Sequence, residues 1–327
     1  MFSSTTPDTA SRVFVGGRAA SAHAGEPIAP PAPARLPATP KGGSWRSVGA
    51  PWGAPASCSR AGLRDRPWVA RLRRALREQL FVLHFQPIVG VADRHVSHHE
   101  ALLRLADEPD GSLLAPGRFL AAAERHGLVG DIDRMVIDRV AALLGSEQER
   151  PHTRIAVNVS ALSVTDPTML SYLAERLRSH GAQPAQLVVE ITETAAISDM
   201  DRAKAFCAGA LALGCEVALD DFGAGFGSFQ YLKHLPFSYL KIDGDFVRRL
   251  PVSRTDQLVV RALAGVVRDM GRRTIAEFVG DETTMRMLLG YGVDYAQGYQ
   301  IGRPRPLLRA SAAVGTAGAS QRPTRGR

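Results

Sequence analysis

The sequence predicts an α/β fold in which the strands close into a barrel and helices cover its outer face. Strand-like and helix-like segments alternate about eight times between residues 67 and 306, as in a barrel of repeated strand and helix units. Several of the strand-like segments are unbroken apolar runs, which are typical of a parallel sheet covered by helices. The span of about 240 residues also fits the usual barrel size of about 250 residues.

The predicted elements follow in a regular order after a first helix over 68–80, whose apolar side chains recur at helical spacing. Predicted strands cover 81–89, 95–104, 154–160, 187–192, 215–220, 239–243, 274–277 and 294–299. Predicted helices cover 116–127, 131–145, 168–181, 199–214, 227–235, 255–271 and 282–292. The helix over 131–145 ends on a glycine, which is a common stop signal.

Residues 1–66 and 307–327 are predicted to be disordered tails that flank the barrel domain at 67–306. They are rich in Ala, Pro, Gly and Ser and show no periodic apolar face, so they cannot bury enough surface to offset the chain entropy. The net charge of +8 lies in the ends. Residues 1–66 and 303–327 contain fourteen Lys and Arg but three Asp and Glu, which leaves −3 for the remaining span. A mildly acidic folded part argues against a DNA or RNA polymer as its partner.

The sequence shows neither a membrane span nor an export signal. No segment approaches the roughly 18 uncharged apolar residues of a membrane helix, and the first residues lack a basic and apolar leader. Three scattered cysteines, Cys58, Cys207 and Cys215, do not form a disulfide framework or a structural zinc site. We therefore expect a soluble protein in the cytoplasm.

Polar residues stand at or near the ends of successive predicted strands. They are Glu100, Asn158, Glu190, Asp220 with Asp221, Lys241, Glu277 and Gln297. In a parallel barrel all of these strand ends meet on one face, which is the face that carries the active sites of such barrels. Residues that are distant in sequence are therefore predicted to be neighbours.

Five carboxylates at one barrel face repel each other, so their negative charge must be neutralised. Each pair at about 5 Å costs roughly 3 kcal/mol at an effective dielectric of 20, so such a cluster persists only with bound cations or added protons. Carboxylate and amide oxygens favour Mg²⁺ or Mn²⁺ over zinc. Two adjacent aspartates can serve two metals, a geometry that suits in-line displacement at a phosphate.

Seven short motifs occur in one order along the chain and resemble those of the EAL-domain cyclic di-GMP phosphodiesterases. They are EALLR (100–104), NVS (158–160), EITET (190–194), DDFGAGF (220–226), LKID (240–243), AEFV (276–279) and AQGY (296–299), and FQPIV (85–89) adds the usual first strand. The resemblance covers residues 70–306 and implies a TIM-like (β/α)8 barrel whose first strand is antiparallel to the rest. It also implies hydrolysis of cyclic di-GMP to linear pGpG.

The resemblance further implies a role for each matched residue. One metal would be held by Glu100, Asn158, Glu190 and Asp220, and a second by Asp220, Asp221 and Glu277. Lys241 would orient or polarise the attacking water, and Gln297 would form a hydrogen bond near it. Gln86 and Arg104 match positions that contact the nucleotide, while Glu193 matches an acid that braces the loop after Asp221. Homodimers that pair near this loop are also expected.

The chain departs from the family pattern at a few positions. Gly227 stands where serine is usual, Phe278 where the commonest form has glycine, and Gly280 where it has a second glutamate. None of these changes removes a matched ligand, so they bear on the rate and on loop order more than on the chemistry.

Several alternatives remain open from the sequence. Strand-end acids can be helix caps, and the barrel could be a weak or inactive EAL domain that binds cyclic di-GMP as a regulatory module. A different barrel enzyme could use one metal and a lysine base to remove a proton next to a carboxylate. His98 and Glu100 share a strand face, but no third soft ligand follows, so a zinc pair is disfavoured and we expect partly exposed histidines.

Overall fold

The computed structural model describes residues 61–106, 110–146, 153–192, 199–223 and 232–306, without the side chains of 61–66. Within these residues eight strands close into one barrel in chain order, which confirms the predicted fold class. The strands are β1 (Phe81–Gly90), β2 (Val96–Leu105), β3 (Ile155–Val159), β4 (Leu187–Thr192), β5 (Glu216–Phe222), β6 (Tyr239–Ile242), β7 (Arg273–Ala276) and β8 (Tyr295–Gln297).

Helices connect the strands and cover the barrel. They are α1 (Ala61–Arg77), α2 (Leu120–Arg125), α3 (Val129–Ser146), α4 (Ala161–Val164), α5 (Met169–His180), α6 (Met200–Ala212), α7 (Gly244–Val247), α8 (Arg254–Asp269) and α9 (Glu282–Tyr291), with short 3₁₀ turns at Pro116–Arg118 and Pro184–Gln186. No helix of the described segments combines the length and apolar character needed to cross a bilayer.

Two sequence predictions concern segments of which the structure describes only a part. The helix α1 begins at Ala61 and so occupies 61–66 of the segment predicted to be a disordered tail; this stretch contains the helix-forming residues Ala, Leu and Arg. The rest of both tails lies outside the described residues. The helix predicted over 227–235 lies mostly outside them as well, although 232–234 are helical.

The first strand has the orientation that the resemblance implies. β1 pairs antiparallel with β2 and with β8, whereas the other neighbouring strands are parallel. Because of this reversal, Gln86 near the middle of β1 lies opposite Glu100, and Ile88 lies opposite Gln297. The prediction of an antiparallel first strand is confirmed.

The barrel interior is layered because successive strand side chains point to opposite faces of the sheet. An apolar layer across its middle consists of Ile88, Ala156, Val188, Ala218, Tyr239 and Ile275. Two positions further along five of these strands the side chain is polar, at Asn158, Glu190, Asp220, Lys241 and Glu277. A period of two therefore places the polar set on the same interior face, one step nearer the carboxyl ends of the strands.

The opposite end of the barrel is closed by a charged network. The Glu216 carboxylate accepts hydrogen bonds from Arg154 Nη1 at 3.0 Å and from the Tyr239 hydroxyl at 2.6 Å, and it also pairs with Arg273. The Arg273 guanidinium lies 4.2 Å from the centre of the Tyr239 ring. These pairs give partners to the Glu216 carboxylate and the Tyr239 hydroxyl at this end of the barrel, and the polar layer lies at the other mouth.

Candidate functional site

The candidate site is a cluster of polar side chains at the carboxyl ends of the strands. Glu100 comes from β2, Glu190 from β4, Asp220 from β5 and Lys241 from β6, and all four side chains are buried. Glu277 directly follows β7 and is also buried. The neighbourhood that the sequence predicts for these residues is present in the structure.

The Lys241 ammonium lies at the centre of this cluster. Its Nζ atom is 2.8 Å from Glu277 Oε1, 2.9 Å from Glu190 Oε2, 3.0 Å from Asp220 Oδ1 and 3.6 Å from Glu100 Oε2. One buried positive charge thus contacts carboxyl groups of three strands, β2, β4 and β5, and of the residue that follows β7. Although burial by itself lowers the pKa of Lys241, these carboxylates hold its pKa well above the usual value, so the lysine is charged.

Amide side chains fix the orientation of Glu100. Asn158 Nδ2 donates to Glu100 Oε1 at 2.8 Å, and Gln297 Nε2 donates to Glu100 Oε2 at 2.6 Å. Gln86 in turn accepts from Gln297 Nε2 at 3.3 Å and donates to the Gly302 carbonyl at 3.0 Å. Burial raises the pKa of Glu100, but Lys241 and the two amide donors outweigh it, so the pKa lies below the usual value and the carboxylate stays ionised.

Glu277, Asp221 and Glu190 retain protons more readily than free acids do. Burial raises the pKa of Glu277 to about 8, with the Asp220 and Glu100 charges adding to the effect against Lys241. Burial and the neighbouring Asp220 charge raise the pKa of Asp221 to about 6, and burial raises that of Glu190 well above its usual value. A single lysine therefore does not neutralise the cluster, which has room for further positive charge.

Local backbone geometry brings the two adjacent aspartates to the same place. Strand alternation alone would direct Asp220 and Asp221 to opposite faces. Asp221 instead has φ +54 in the left-handed region, and the pairing of β5 with β6 shifts register between Leu219 and Phe222. The Asp221 N–H donates to Asp220 Oδ1 at 2.9 Å. A break in the ladder of this kind re-aims a side chain, so both carboxylates face the site.

Two features of the cluster fit a divalent cation. One carboxylate oxygen from each of Asp220, Asp221 and Glu277 lies within 4.8 Å of the others, and all three are hard oxygen donors of the kind that Mg²⁺ and Mn²⁺ prefer. Buried Oε1 atoms of Glu190 and Gln297 have no hydrogen-bond partner within the described residues. Unsatisfied buried oxygens are costly unless another group binds them, and a cation would do so.

The cluster forms the floor of a cavity of about 460 Å³ at the barrel mouth, which is large enough for a ligand of some tens of atoms. Gln86 and Arg104, which the resemblance implies contact the nucleotide, line it together with Asp220, Asp221, Lys241, Glu277 and Gln297. Arg104 Nη1 donates to the Leu103 carbonyl at 2.7 Å and keeps further donors for a ligand. Glu193, predicted to brace the loop after Asp221, lies outside the described residues, as does Gly227.

One sequence prediction at the site is wrong. His98 is 1% exposed rather than partly exposed, because β2 directs it into the apolar layer of the closed barrel. Its ring lies 5.4 Å from that of Tyr239 and 6.1 Å from that of Tyr295. Burial, followed by the charges of Arg154 and Lys241, lowers the pKa of His98 to about 3, so it is neutral.

The sequence model of the EAL domain matches residues 69–304, which is most of the chain. The chain belongs to the EAL domain family. This family membership agrees with the resemblance that the seven motifs carry, and the acids and the lysine brought together at the barrel mouth are residues of those motifs.

Named relatives of this EAL barrel include two cyclic di-GMP phosphodiesterases. PdeB of Shewanella oneidensis is 41% identical over 244 residues, which cover 73% of this chain and 28% of that protein. PdeF of Escherichia coli is 34% identical over 239 residues, which cover 73% of this chain and 32% of that protein. The matched region therefore spans under a third of the length of these relatives.

Solved EAL structures have the same fold. The EAL domain of Xanthomonas citri FimX in complex with c-diGMP is 33% identical, with a TM-score of 0.70, over 77% of this chain and 98% of that one. The PaMucR phosphodiesterase in a c-di-GMP complex is 33% identical, with a TM-score of 0.70, over 74% of this chain and 98% of that one. These neighbours bind cyclic di-GMP in barrels of the same architecture.

Proposed function

We propose that this EAL barrel hydrolyses cyclic di-GMP to linear pGpG in a reaction that depends on divalent cations. The observation that carries the proposal is the convergence of four carboxylates on the Lys241 ammonium, with Asp221 beside them, at the floor of an open cavity. The names of the relatives and the nucleotide complexes of the structural neighbours support the choice of substrate.

We assign the cations to two overlapping sets of oxygen ligands and expect Mg²⁺ or Mn²⁺. The first set is Glu100, Asn158, Glu190 and Asp220; the second is Asp220, Asp221 and Glu277. When bound, such ions lower the pKa of a water and offset the charge of the phosphate that it attacks. Asp220 would belong to both sets, and one of its carboxylate oxygens lies within 4.8 Å of those of Asp221 and Glu277.

The residues of the chain supply binding, orientation and charge. Arg104 at the cavity wall would grip a phosphate oxygen, and Gln86 would contact the nucleotide beside it. The hydrogen bonds from Asn158 and Gln297 hold Glu100 in one orientation. The Lys241 ammonium, held in place by its carboxylate partners, would stabilise the negative charge that develops as water oxygen attacks phosphorus.

The reaction balances as a simple hydrolysis. A water oxygen forms a bond to one phosphorus of the ring, the bond from that phosphorus to a ribose 3′ oxygen breaks, and the 3′ oxygen receives a proton. The product is the linear dinucleotide with one 5′ phosphate. We expect Glu193 to brace the loop after Asp221, and a cytoplasmic location and a homodimer also stay predictions.

Chromatography of nucleotides tests the proposal on the full chain. Cyclic di-GMP incubated with Mg²⁺ or Mn²⁺ should give pGpG, and a chelator should stop the reaction. Glu100→Ala should abolish turnover, whereas Glu175→Ala, which changes an exposed glutamate of α5, should leave it unchanged. No turnover with either metal would reject the enzyme, and nucleotide binding that persists with chelator and without hydrolysis would indicate the binding module instead.

A further inference from the structure

Two adjacent residues of α3 hold the connection that leads from β3 to α5, residues 160–168. The Asp133 carboxylate accepts a hydrogen bond from the Ser160 N–H at 2.9 Å. Arg134 Nη2 donates to Asp166 Oδ2 at 2.7 Å. Two points of the connection are therefore tied to one helix, and Asp133 holds the end that leaves the barrel.

The end that Asp133 holds carries a candidate metal ligand. Ser160 directly follows the last residue of β3 and stands two positions after Asn158. Asn158 is exposed, and its Nδ2 atom donates to Glu100 Oε1 at 2.8 Å. Because the packing around an exposed side chain does not fix it, the position of the Asn158 backbone decides where the amide points.

The sheet holds this end of β3 more firmly on one side than on the other. The pairing with β2 ends at Val157, one residue before Asn158, whereas the pairing with β4 continues to Val159. The Ser160 N–H is the first beyond the strand, and it donates to Asp133. The carboxylate thus provides an anchor on a strand end that β2 no longer holds.

Asp133 is a buried acid whose hydrogen bonds all serve this connection. It is 7% exposed, and burial raises its pKa even though hydrogen bonds with Ser160 and Ser163 act in the opposite direction. Ser163 lies in α4 and Ser160 is the N-cap of that helix. A buried acid costs stability, and in return the fold obtains a fixed position for the end of β3.

We infer that Asp133 is a positioning residue that fixes the end of β3 through Ser160 and thereby sets the affinity of the site for the cation that Asn158 would bind. The inference rests on the proposed function, in which Asn158 belongs to the first set of metal ligands. Groups that orient a ligand without touching the metal typically change metal affinity by about 10–100-fold. Asp133 acts one step further away, through the backbone, so we expect the lower end of this range.

The first test compares Ser160→Pro with Ser160→Ala in the full chain. Both variants lose the hydroxyl, but only proline lacks the N–H that Asp133 accepts. Ser160 has φ −68, which proline adopts without strain. Titration with Mn²⁺, followed by the electron paramagnetic resonance of the free ion, gives the dissociation constant. We expect Ser160→Pro to weaken Mn²⁺ binding on the order of tenfold and Ser160→Ala to change it by less than about twofold.

The second test changes the carboxylate itself. Asp133→Ala removes the acceptor and should weaken Mn²⁺ binding as Ser160→Pro does, whereas Asp133→Asn keeps one oxygen for the Ser160 N–H and should restore the affinity. Val140→Ala removes methyl groups from a fully buried residue of the same helix and controls for a general loss of stability; it should leave Mn²⁺ affinity unchanged. Circular dichroism checks that each variant is folded, and the Ser160 pair decides if Asp133→Ala is not.

Combination with Asn158→Ala shows whether the effect passes through the ligand. If Asp133 acts by placing Asn158, Asp133→Ala should weaken Mn²⁺ binding in the wild-type background but not in protein that already carries Asn158→Ala. An equal loss in both backgrounds would show that Asp133 supports the barrel mouth in general, and the inference would be overturned.

The outcomes separate this role from the proposed function, because metal binding is measured without nucleotide. If wild-type protein hydrolyses cyclic di-GMP but Ser160→Pro and Asp133→Ala bind Mn²⁺ as tightly as wild type, the positioning role is refuted and the enzyme stands. If wild-type protein binds Mn²⁺ without hydrolysis and both variants lose affinity, the enzyme fails and the positioning role stands. If wild-type protein does not bind Mn²⁺, both fail.

Discussion

Replacement of Lys241 by methionine perturbs the cluster at its centre. Methionine retains most of the length and apolar volume of the lysine stem but removes the ammonium that lies 2.8 to 3.6 Å from four carboxylates. At an effective dielectric of about 20, each contact with an ionised carboxylate corresponds to roughly 4.5–6 kcal/mol of gross attraction. Most of this attraction offsets the cost of burying the charges, and the removal of one partner from a buried ion pair costs about 3–5 kcal/mol net.

The expected loss of stability is large enough for thermal denaturation. For a barrel of this size each kcal/mol corresponds to about 2–4 °C in Tm, so Lys241→Met should lower the Tm of the metal-free protein by about 6–20 °C. The measurement is circular dichroism in chelator on the full chain. Lys204→Met, which changes an exposed lysine of α6, is the matched control and should change stability by less than about 0.5 kcal/mol.

Added divalent cation should reverse the effect, because it replaces the missing positive charge among the same oxygens. Mg²⁺ should therefore raise the Tm of Lys241→Met by more than it raises that of the wild-type protein. A Lys241→Met variant that unfolds at the wild-type temperature in chelator would show that the carboxylates do not depend on the lysine, and the electrostatic reasoning above would then be wrong.

Three further predictions concern the rest of the barrel. Burial raises the pKa of Asp133. The stabilising contribution of Asp133 is therefore present below about pH 4, the pKa of the unfolded chain, and is lost as the pH rises through the pKa of the folded protein. Denaturant titrations should show Asp133→Asn gaining stability relative to wild type as the pH rises from 4 to 7. Burial raises the pKa of Cys207 and of Cys215 to about 12, so iodoacetamide followed by peptide mapping should find both unmodified at pH 8 until the protein unfolds; labelling of the native protein would contradict this. A Cβ at Gly298 would lie 2.2 Å from the Val279 carbonyl oxygen, so Gly298→Ala should cost about 1–3 kcal/mol in chemical denaturation, and an unchanged midpoint would show that the two loops separate freely.

Much of the site could be predicted from the sequence because strand periodicity is local. Residues at a period of two share a strand face, and parallel strands end at the same mouth of a barrel. The burial of Glu100, Glu190 and Lys241 around one point needed only these two rules. The antiparallel first strand came from the family resemblance, because the strand pattern of β1 is the same in either direction.

Other features depended on contacts between distant segments. The pattern predicted a partly exposed His98, but closure of the barrel buries it. Strand alternation would separate Asp220 from Asp221, and it is the register shift against β6 with a left-handed Asp221 that brings both to the site. The local sequence does not indicate the burial of His98 or the shared direction of Asp220 and Asp221, because both depend on how one strand pairs with another.

The sequence by itself determined the closed barrel, the order of its strands and the set of acids at their carboxyl ends, because these follow from local periodicity and motif order. The tertiary structure alone decided the distances from the Lys241 ammonium to each carboxylate and the stacking of Arg248 on Phe278. The physical reason is that electrostatic and stacking energies depend on distances between side chains from different loops and strands, and the folded chain fixes those distances.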